Sequence, residues 1–102
     1  MTVGMYDSFS TRHWFSEPAK AIWSDRATLQ RWLDVEVALA QAQAAIGMIP
    51  QHAAETIAAK ANADLFDLDA LSADIRKTLH PFVPVLHQFE RLCGPDAAGY
   101  IH

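Results

Sequence analysis

Apolar positions between residues 24 and 50 recur at the spacing of a single long helix. They form two stripes: Leu29, Leu33, Val37, Ala40 and Ala44, and, displaced around the axis, Trp32, Val35, Leu39 and Ala42. Ser24 can cap the first turn, while Gly47 and Pro50 are typical of a helix end. The pattern therefore predicts a helix over residues 24–46. Two stripes also predict packing partners on more than one side, from this chain or from another chain.

Four shorter helices are predicted around the long one. They cover residues 17–23, residues 51 to 62 or 63, residues 67–79, and a stretch that begins at Pro81 or Pro84 and ends before Gly94. Ser16 and Asp67 are residue types that cap a first turn. His80 precedes a proline and is pushed out of the helical region, which ends the fourth helix. Gly94, also followed by a proline, ends the fifth.

The predicted fold class is all-α. Residues 1–15 have no helical period, and we expect Phe9, Trp14 and Phe15 to pack against the body of the domain while the polar residues between them form a loop. The sequence has no alternating strand-like run, internal repeat or linker. These patterns predict one domain over residues 1–102, with about five helices and no β-sheet.

Composition excludes several function classes. Apolar residues make up 51% and charged residues 20%, which is typical of a globular protein. The net charge is −4 and no Lys/Arg cluster occurs, so we expect no nucleic-acid partner. No apolar run approaches the roughly 20 residues of a membrane span, and the start of the chain lacks a secretory-signal pattern. Cys93 has no second cysteine to pair with and is predicted to be a buried structural thiol. A cytoplasmic protein without a membrane partner is expected.

Candidate chemistry is concentrated at a few polar residues. The five histidines have no zinc-helix spacing, so no metal site is predicted. Thr78 and His80 fall at a helix end before prolines, where a hydroxyl and an imidazole can bind an anion or move a proton. The alternative is that His80 merely satisfies nearby carbonyl groups. Glu36 lies in the middle of the long helix, either solvated or as a buried, hydrogen-bonded carboxylate.

Several motifs together resemble one enzyme superfamily. They are Trp23-Ser24-Asp25, Trp32-Leu33, Glu36, Ala38-Leu39-Ala40, Ala42, Gly47-Met48-Ile49-Pro50, Phe66-Asp67, Thr78-Leu79-His80-Pro81 and Tyr100-Ile101-His102. This combination resembles the N-terminal helices of the fumarase/aspartase superfamily. Within it, the branch with adenylosuccinate lyase and 3-carboxy-cis,cis-muconate cycloisomerase is the most similar. The resemblance covers about nine-tenths of the chain.

The resemblance implies a homotetrameric all-α enzyme whose active sites combine three subunits. Such enzymes eliminate an amine, an alcohol or a ring oxygen from a succinyl-type dicarboxylate, leave a fumarate-type product and need no cofactor. By the same resemblance, His80 contacts substrate with Thr78 beside it, and His102 binds substrate and takes part in acid–base catalysis. The catalytic candidates are therefore His102 and His80, and the substrate-binding candidates are Thr78, His80 and Arg12.

Two departures from the family pattern refine this expectation. Adenylosuccinate lyases usually carry an Arg-Tyr-Ser element before the first helix, where this chain has His13-Trp14-Phe15-Ser16 with Arg12 just upstream. This difference favours a cycloisomerase-like enzyme or a related carbon–nitrogen lyase. The sequence also lacks the long central helices and the serine loop that carries the catalytic base. We therefore expect an N-terminal domain or fragment that is inactive alone. The alternative is a stand-alone helical module for interaction or oligomerisation.

Overall fold

The structure is a computed structural model, and it describes residues 6–102. Six α-helices follow one another: α1 (Glu17–Ile22), α2 (Asp25–Ala45), α3 (Gln51–Lys60), α4 (Leu68–Thr78), α5 (Phe82–Cys93) and α6 (Pro95–Ala98). Short 3₁₀ helices lie at Arg12–Trp14 and Ala63–Leu65. No strand occurs within residues 6–102, and the predicted all-α class is confirmed.

The helix starts are set by local side-chain caps. The hydroxyl oxygens of Ser16 and Ser24 each accept a hydrogen bond, at 3.2 Å, from the backbone N–H three residues later. Asp67 caps α4 in the same way at 3.0 Å. Each cap satisfies a first-turn donor that has no partner within its helix. The five predicted helices are therefore confirmed to within about three residues at each end.

Two predicted helix ends require correction. The third helix ends at Lys60 rather than at residue 62 or 63. Asn62 instead caps the following 3₁₀ helix, because its side-chain oxygen accepts a hydrogen bond from the Asp64 N–H at 2.9 Å. The fourth helix ends at Thr78, one residue early, because Leu79 adopts a left-handed conformation with φ of 56°. A left-handed residue ends a helix even when it is not glycine.

The core lies where α2, α3, α4 and α5 meet. Its side chains are Leu29, Leu33, Ala40, Ala53, Ala54, Ile57, Ala63, Phe66, Leu71, Val85, Phe89, Cys93 and Ala97. Phe66 and Phe89 pack ring against ring, with centroids 5.9 Å apart. Gln88 is a buried amide whose oxygen accepts a hydrogen bond from the Asp67 N–H at 2.7 Å. This bond ties α5 to the start of α4.

The two apolar stripes of α2 differ in burial. Leu29, Leu33 and Ala40 of the first stripe are buried, whereas Val35 of the second is 66% exposed. The radius of gyration is 16.4 Å, compared with about 13 Å for a compact domain of this length. The described chain is therefore elongated, and Val35 of the second stripe is open to solvent, whereas Trp32 of that stripe is half-buried against the core. None of its helices is long and apolar enough to cross a membrane.

The expectation for the N-terminal aromatic residues is largely wrong. Phe9 is 87% exposed and Trp14 is 68% exposed, so neither packs against the body of the domain. Phe15 is half-buried and contacts the ring of Tyr6, with centroids 4.4 Å apart. Trp14 meets the ring of His13 edge-on. Both of these ring contacts lie within the N-terminal segment itself.

Candidate active site

A buried carboxylate and the imidazole of His102 meet at one side of α2. Glu36 follows Leu33 by three positions and precedes Ala40 by four, so it shares their inward face, and its side chain is only 6% exposed. Its Oε1 atom lies 3.2 Å from Nδ1 of His102. The His102 side chain is 63% exposed. Of the two interpretations of Glu36, the buried, hydrogen-bonded carboxylate is therefore the correct one.

This pair lies at an open groove with apolar walls. The groove has a volume of about 490 Å³ and is lined by Trp32, Val35, Glu36, Leu39, Pro81, Phe82 and His102. Trp32 and Phe82 meet edge to face, with ring centroids 5.6 Å apart, and so join α2 to the start of α5. Three members of the second stripe thus line a groove in which a carboxylate and an imidazole supply the ionisable groups.

His80 caps the start of α5. Its Nδ1 accepts hydrogen bonds from the backbone N–H groups of Phe82, at 3.2 Å, and Val83, at 3.3 Å. The imidazole therefore bonds to N–H groups rather than to carbonyls, and that part of the sequence-based alternative is wrong. Because Nδ1 accepts, the proton of the neutral ring resides on Nε2. His80 is exposed, so Nε2–H is available as a donor.

Thr78 holds the backbone of His80 in place. The Thr78 hydroxyl donates to the His80 carbonyl oxygen at 3.2 Å and accepts from the His80 N–H at 3.3 Å. The structure therefore brings these two predicted site residues together at the helix break. His80 is adjacent in sequence to Pro81, which lines the same groove as His102. No hydrogen bond joins His80 to His102 within residues 6–102.

Arg12 is separate from these residues. It belongs to the N-terminal 3₁₀ helix, and its Nε donates to the Ser8 carbonyl oxygen at 3.4 Å. In the part of the chain that the structure describes, no hydrogen bond or ion pair links Arg12 to Thr78, His80 or His102. The assignment of Arg12 to substrate binding stays a prediction.

Cys93 and the pair formed by Arg26 and Asp64 have structural roles. Burial raises the pKa of the Cys93 thiol to about 11, as expected for an inert core cysteine. Arg26 donates two hydrogen bonds to Asp64, at 2.7 and 3.0 Å, and lowers the pKa of that carboxyl. Across residues 6–102, no cluster of three or more His, Cys, Asp or Glu side chains could hold a metal ion.

Sequence patterns alone missed two features. One is the contact of Glu36 with His102, which lies 66 positions later. The signal for burial was the position of Glu36 on the face of Leu33 and Ala40. The other is a second groove of about 340 Å³ between α2, α4 and α5, with Asp25 and Arg76 among its lining residues. It had no sequence signal because three separate helices form it.

Comparison with known proteins identifies a family. No family model matches the chain. It is 41% identical over 83 residues to N-acetyl-S-(2-succino)cysteine lyase of Dickeya dadantii, covering 81% of this chain and 18% of that enzyme. It is 34% identical over 106 residues to the 3-carboxy-cis,cis-muconate cycloisomerase of Pseudomonas putida, covering 100% of this chain and 24% of that enzyme. The crystal structure of β-carboxy-cis,cis-muconate cycloisomerase from Acinetobacter calcoaceticus sp. ADP1 superposes with a TM-score of 0.81 at 36% identity, covering 86% of this chain and 22% of that one.

The chain belongs to this branch of the fumarase/aspartase superfamily. The family resemblance inferred from the motifs is therefore confirmed. The chain spans about a fifth of the length of the curated relatives it matches. Motif residues of this superfamily branch lie at the groove: Trp32, Glu36 and Leu39 line it, as does His102.

Proposed function

We propose that these 102 residues form the N-terminal domain, or a fragment, of a lyase or cycloisomerase that acts on a succinyl-type dicarboxylate. The enzyme would perform an anti-elimination, or its reverse, with a fumarate-type product. Homology supports this assignment, since two similar enzymes are named for succino-substituted compounds and a third for a carboxymuconate. The observation that carries it within the chain is an exposed imidazole, that of His102, held by a buried carboxylate at a groove.

The proposed reaction removes a proton from the carbon next to a carboxylate. The bond between the neighbouring carbon and its heteroatom then breaks, a carbon–carbon double bond forms, and the heteroatom leaves with a proton. His102 acts in acid–base catalysis and substrate binding, and the Nε2–H of His80 donates a hydrogen bond to a substrate carboxylate, with Thr78 fixing the backbone of His80. Arg12 would add a cationic contact with the substrate. The reaction needs no cofactor, because acid–base groups and anion binding suffice.

We expect the 102 residues to be inactive alone. The residues that line the groove include no Lys or Arg. Two substrate carboxylates would therefore meet apolar walls and the buried carboxylate of Glu36, which disfavours binding. Other segments or subunits must supply cationic groups, in keeping with the homotetramer that the family resemblance implies. A cytoplasmic location also stays a prediction.

A chimera tests the proposed function. Residues 17–102 of this chain replace the matching region of the Pseudomonas putida cycloisomerase, and turnover of 3-carboxy-cis,cis-muconate is followed by ultraviolet absorbance. A second chimera, with the Dickeya enzyme, is assayed on N-acetyl-S-(2-succino)cysteine. We expect at least one chimera to be active and the 102-residue chain to show no turnover. His102→Ala in the active chimera should lower kcat at least about 100-fold, as for loss of an acid–base group.

The outcomes separate clearly. Chimeras that fold and assemble like their parent enzymes but turn over neither substrate would contradict the proposed role. Turnover by the 102-residue chain alone would contradict its inactivity. An active chimera unaffected by His102→Ala would remove His102 from the chemistry while leaving the family assignment intact.

A second candidate function is a stand-alone helical module that associates through the second stripe of α2. The exposure of Val35 and the elongated shape favour it. Light scattering at tens of micromolar distinguishes an oligomer from a monomer. A monomer mass over that concentration range would rule out self-association as the function.

A further inference from the structure

We propose that Glu36 is a positioning residue for His102, which holds the imidazole with its proton on Nδ1 and leaves Nε2 as the basic atom. The proposal rests on the proposed function for its catalytic meaning. The hydrogen bond itself can be tested without it. Glu36 was singled out by the motif pattern, yet the superfamily resemblance gave it no role.

The first argument is burial. The Glu36 side chain is 6% exposed and, within residues 6–102, its hydrogen-bonding partner is His102. A buried carboxylate is costly unless another polar group bonds to it. Its apolar neighbours cannot provide such a bond, and within residues 6–102 neither Gln43 nor Tyr100, which lie close by, bonds to it. His102 is therefore the group that makes the buried position of Glu36 tolerable, and Glu36 in turn fixes one ring nitrogen.

The second argument is rigidity. Glu36 lies near the middle of α2, a helix of 21 residues, with Leu33 and Ala40 buried on either side of it. His102, by contrast, follows a short helix and has a mostly exposed side chain. A carboxylate held by a packed helix restricts an imidazole on a less constrained segment, and the reverse is not expected. The direction of positioning therefore runs from Glu36 to His102.

The third argument is the chemistry of the bond. An ionised carboxylate only accepts hydrogen bonds, so Nδ1 of His102 must donate across the 3.2 Å contact. The other nitrogen of a neutral ring, Nε2, then carries the lone pair. In His80 the arrangement is the opposite, because Nδ1 accepts two backbone N–H groups. The two histidines are thus set up differently: His80 as a donor through Nε2–H, and His102 as an acceptor or base through Nε2.

Nuclear magnetic resonance of the 102-residue chain tests this directly. In a ¹⁵N-labelled sample at a pH where His102 is neutral, long-range ¹H–¹⁵N spectra report which ring nitrogen carries the proton. The His102→Gln variant assigns the His102 signals. We expect the Nδ1–H form to predominate for His102, and the Nε2–H form for His80. Predominance of Nε2–H at His102 in the unmodified chain would overturn the proposal.

Two variants complete the test. Glu36→Gln keeps the shape but can donate as well as accept, so the Nδ1–H fraction of His102 should fall below half. Glu55→Gln changes an exposed carboxylate on α3 and should leave the fraction unchanged. An unchanged fraction in Glu36→Gln would overturn the proposal.

The active chimera separates positioning from the proposed function. Glu36→Gln should lower its kcat at least about tenfold with little change in KM, as for other groups that orient a catalytic histidine. Full activity of Glu36→Gln would overturn the positioning role while the lyase assignment stands. If every chimera folds and assembles but is inactive, while the spectra are as expected, the lyase assignment is overturned and the bond by which Glu36 positions His102 is supported.

Discussion

Two valines in different surroundings offer a matched test of which surface is the core. Val85 of α5 is 3% exposed, whereas Val35 of α2 is 66% exposed. Both lie inside helices, so Val→Ala improves intrinsic helix propensity by a similar amount at each position, about 0.5 kcal/mol. Any difference in the free energy of unfolding between the two variants therefore reflects the difference in burial of the two valines.

The expected magnitudes follow from exposure. Val→Ala removes the equivalent of two CH₂ groups, worth about 1.6 kcal/mol when fully buried. At Val85 this loss plus a cavity contribution, less the gain in propensity, lowers the free energy of unfolding by about 1–2.5 kcal/mol. At Val35 only a third of the side chain is covered, so a loss of about 0.5 kcal/mol cancels the gain. Val35→Ala should be neutral within about 0.5 kcal/mol.

Urea unfolding followed by far-ultraviolet circular dichroism measures both values. With a slope of about 1–3 kcal/mol per molar urea, Val85→Ala should lower the midpoint by roughly 0.3–2.5 M and Val35→Ala by almost nothing. Equal losses would refute the assignment of Val35 to the open surface. If the loss at Val35 also fell on tenfold dilution, another copy of the chain would cover this valine in solution.

Two further predictions concern Cys93 and His80. Burial disfavours the charged thiolate and raises the pKa of Cys93 to about 11, so at pH 8 roughly 0.1% is ionised, against about a quarter of an unfolded thiol. Alkylation of Cys93 should be at least about 100-fold slower in the native chain than in urea, and it should accelerate as pH rises towards 11. Equal alkylation rates in the native and urea-unfolded chain would contradict the burial of this thiol. His80→Ala removes the cap of α5 and should lower the free energy of unfolding by about 0.5–2 kcal/mol, whereas His80→Asn, another good cap, should recover most of it. An equal free energy of unfolding for both variants and the unmodified chain would contradict the capping role.

The helices were predictable because their signals are local. A cap such as Ser24 or Asp67 bonds to a backbone N–H three residues away, and Gly47 ends α2 within one turn. Apolar periodicity reports the side that each helix can bury. The family motif depends on residue identity and spacing alone. Fold class, helix positions and superfamily were therefore all accessible from the sequence.

Local signals also have limits at helix ends. Asn62 was a plausible end for α3, but its side chain starts the next 3₁₀ helix instead. Leu79 adopts a left-handed conformation that single-residue preferences do not favour. The N-terminal aromatic side chains looked like core residues by composition, yet Phe9 and Trp14 are exposed. Apolar character indicates that a side chain can be buried, but not that another surface lies close enough to cover it.

Only the tertiary structure decided the arrangement of the candidate site. The pattern of α2 contained two apolar stripes, and packing against the other helices buried most of the first but left Val35 of the second exposed. Glu36 could have been solvated or buried, and its contact with His102 joins residues 66 positions apart. Such a contact depends on the angles between helices and on the path of the chain between them, which no local pattern encodes. The sequence determined the elements and the family; the packing of those elements determined which side chains meet.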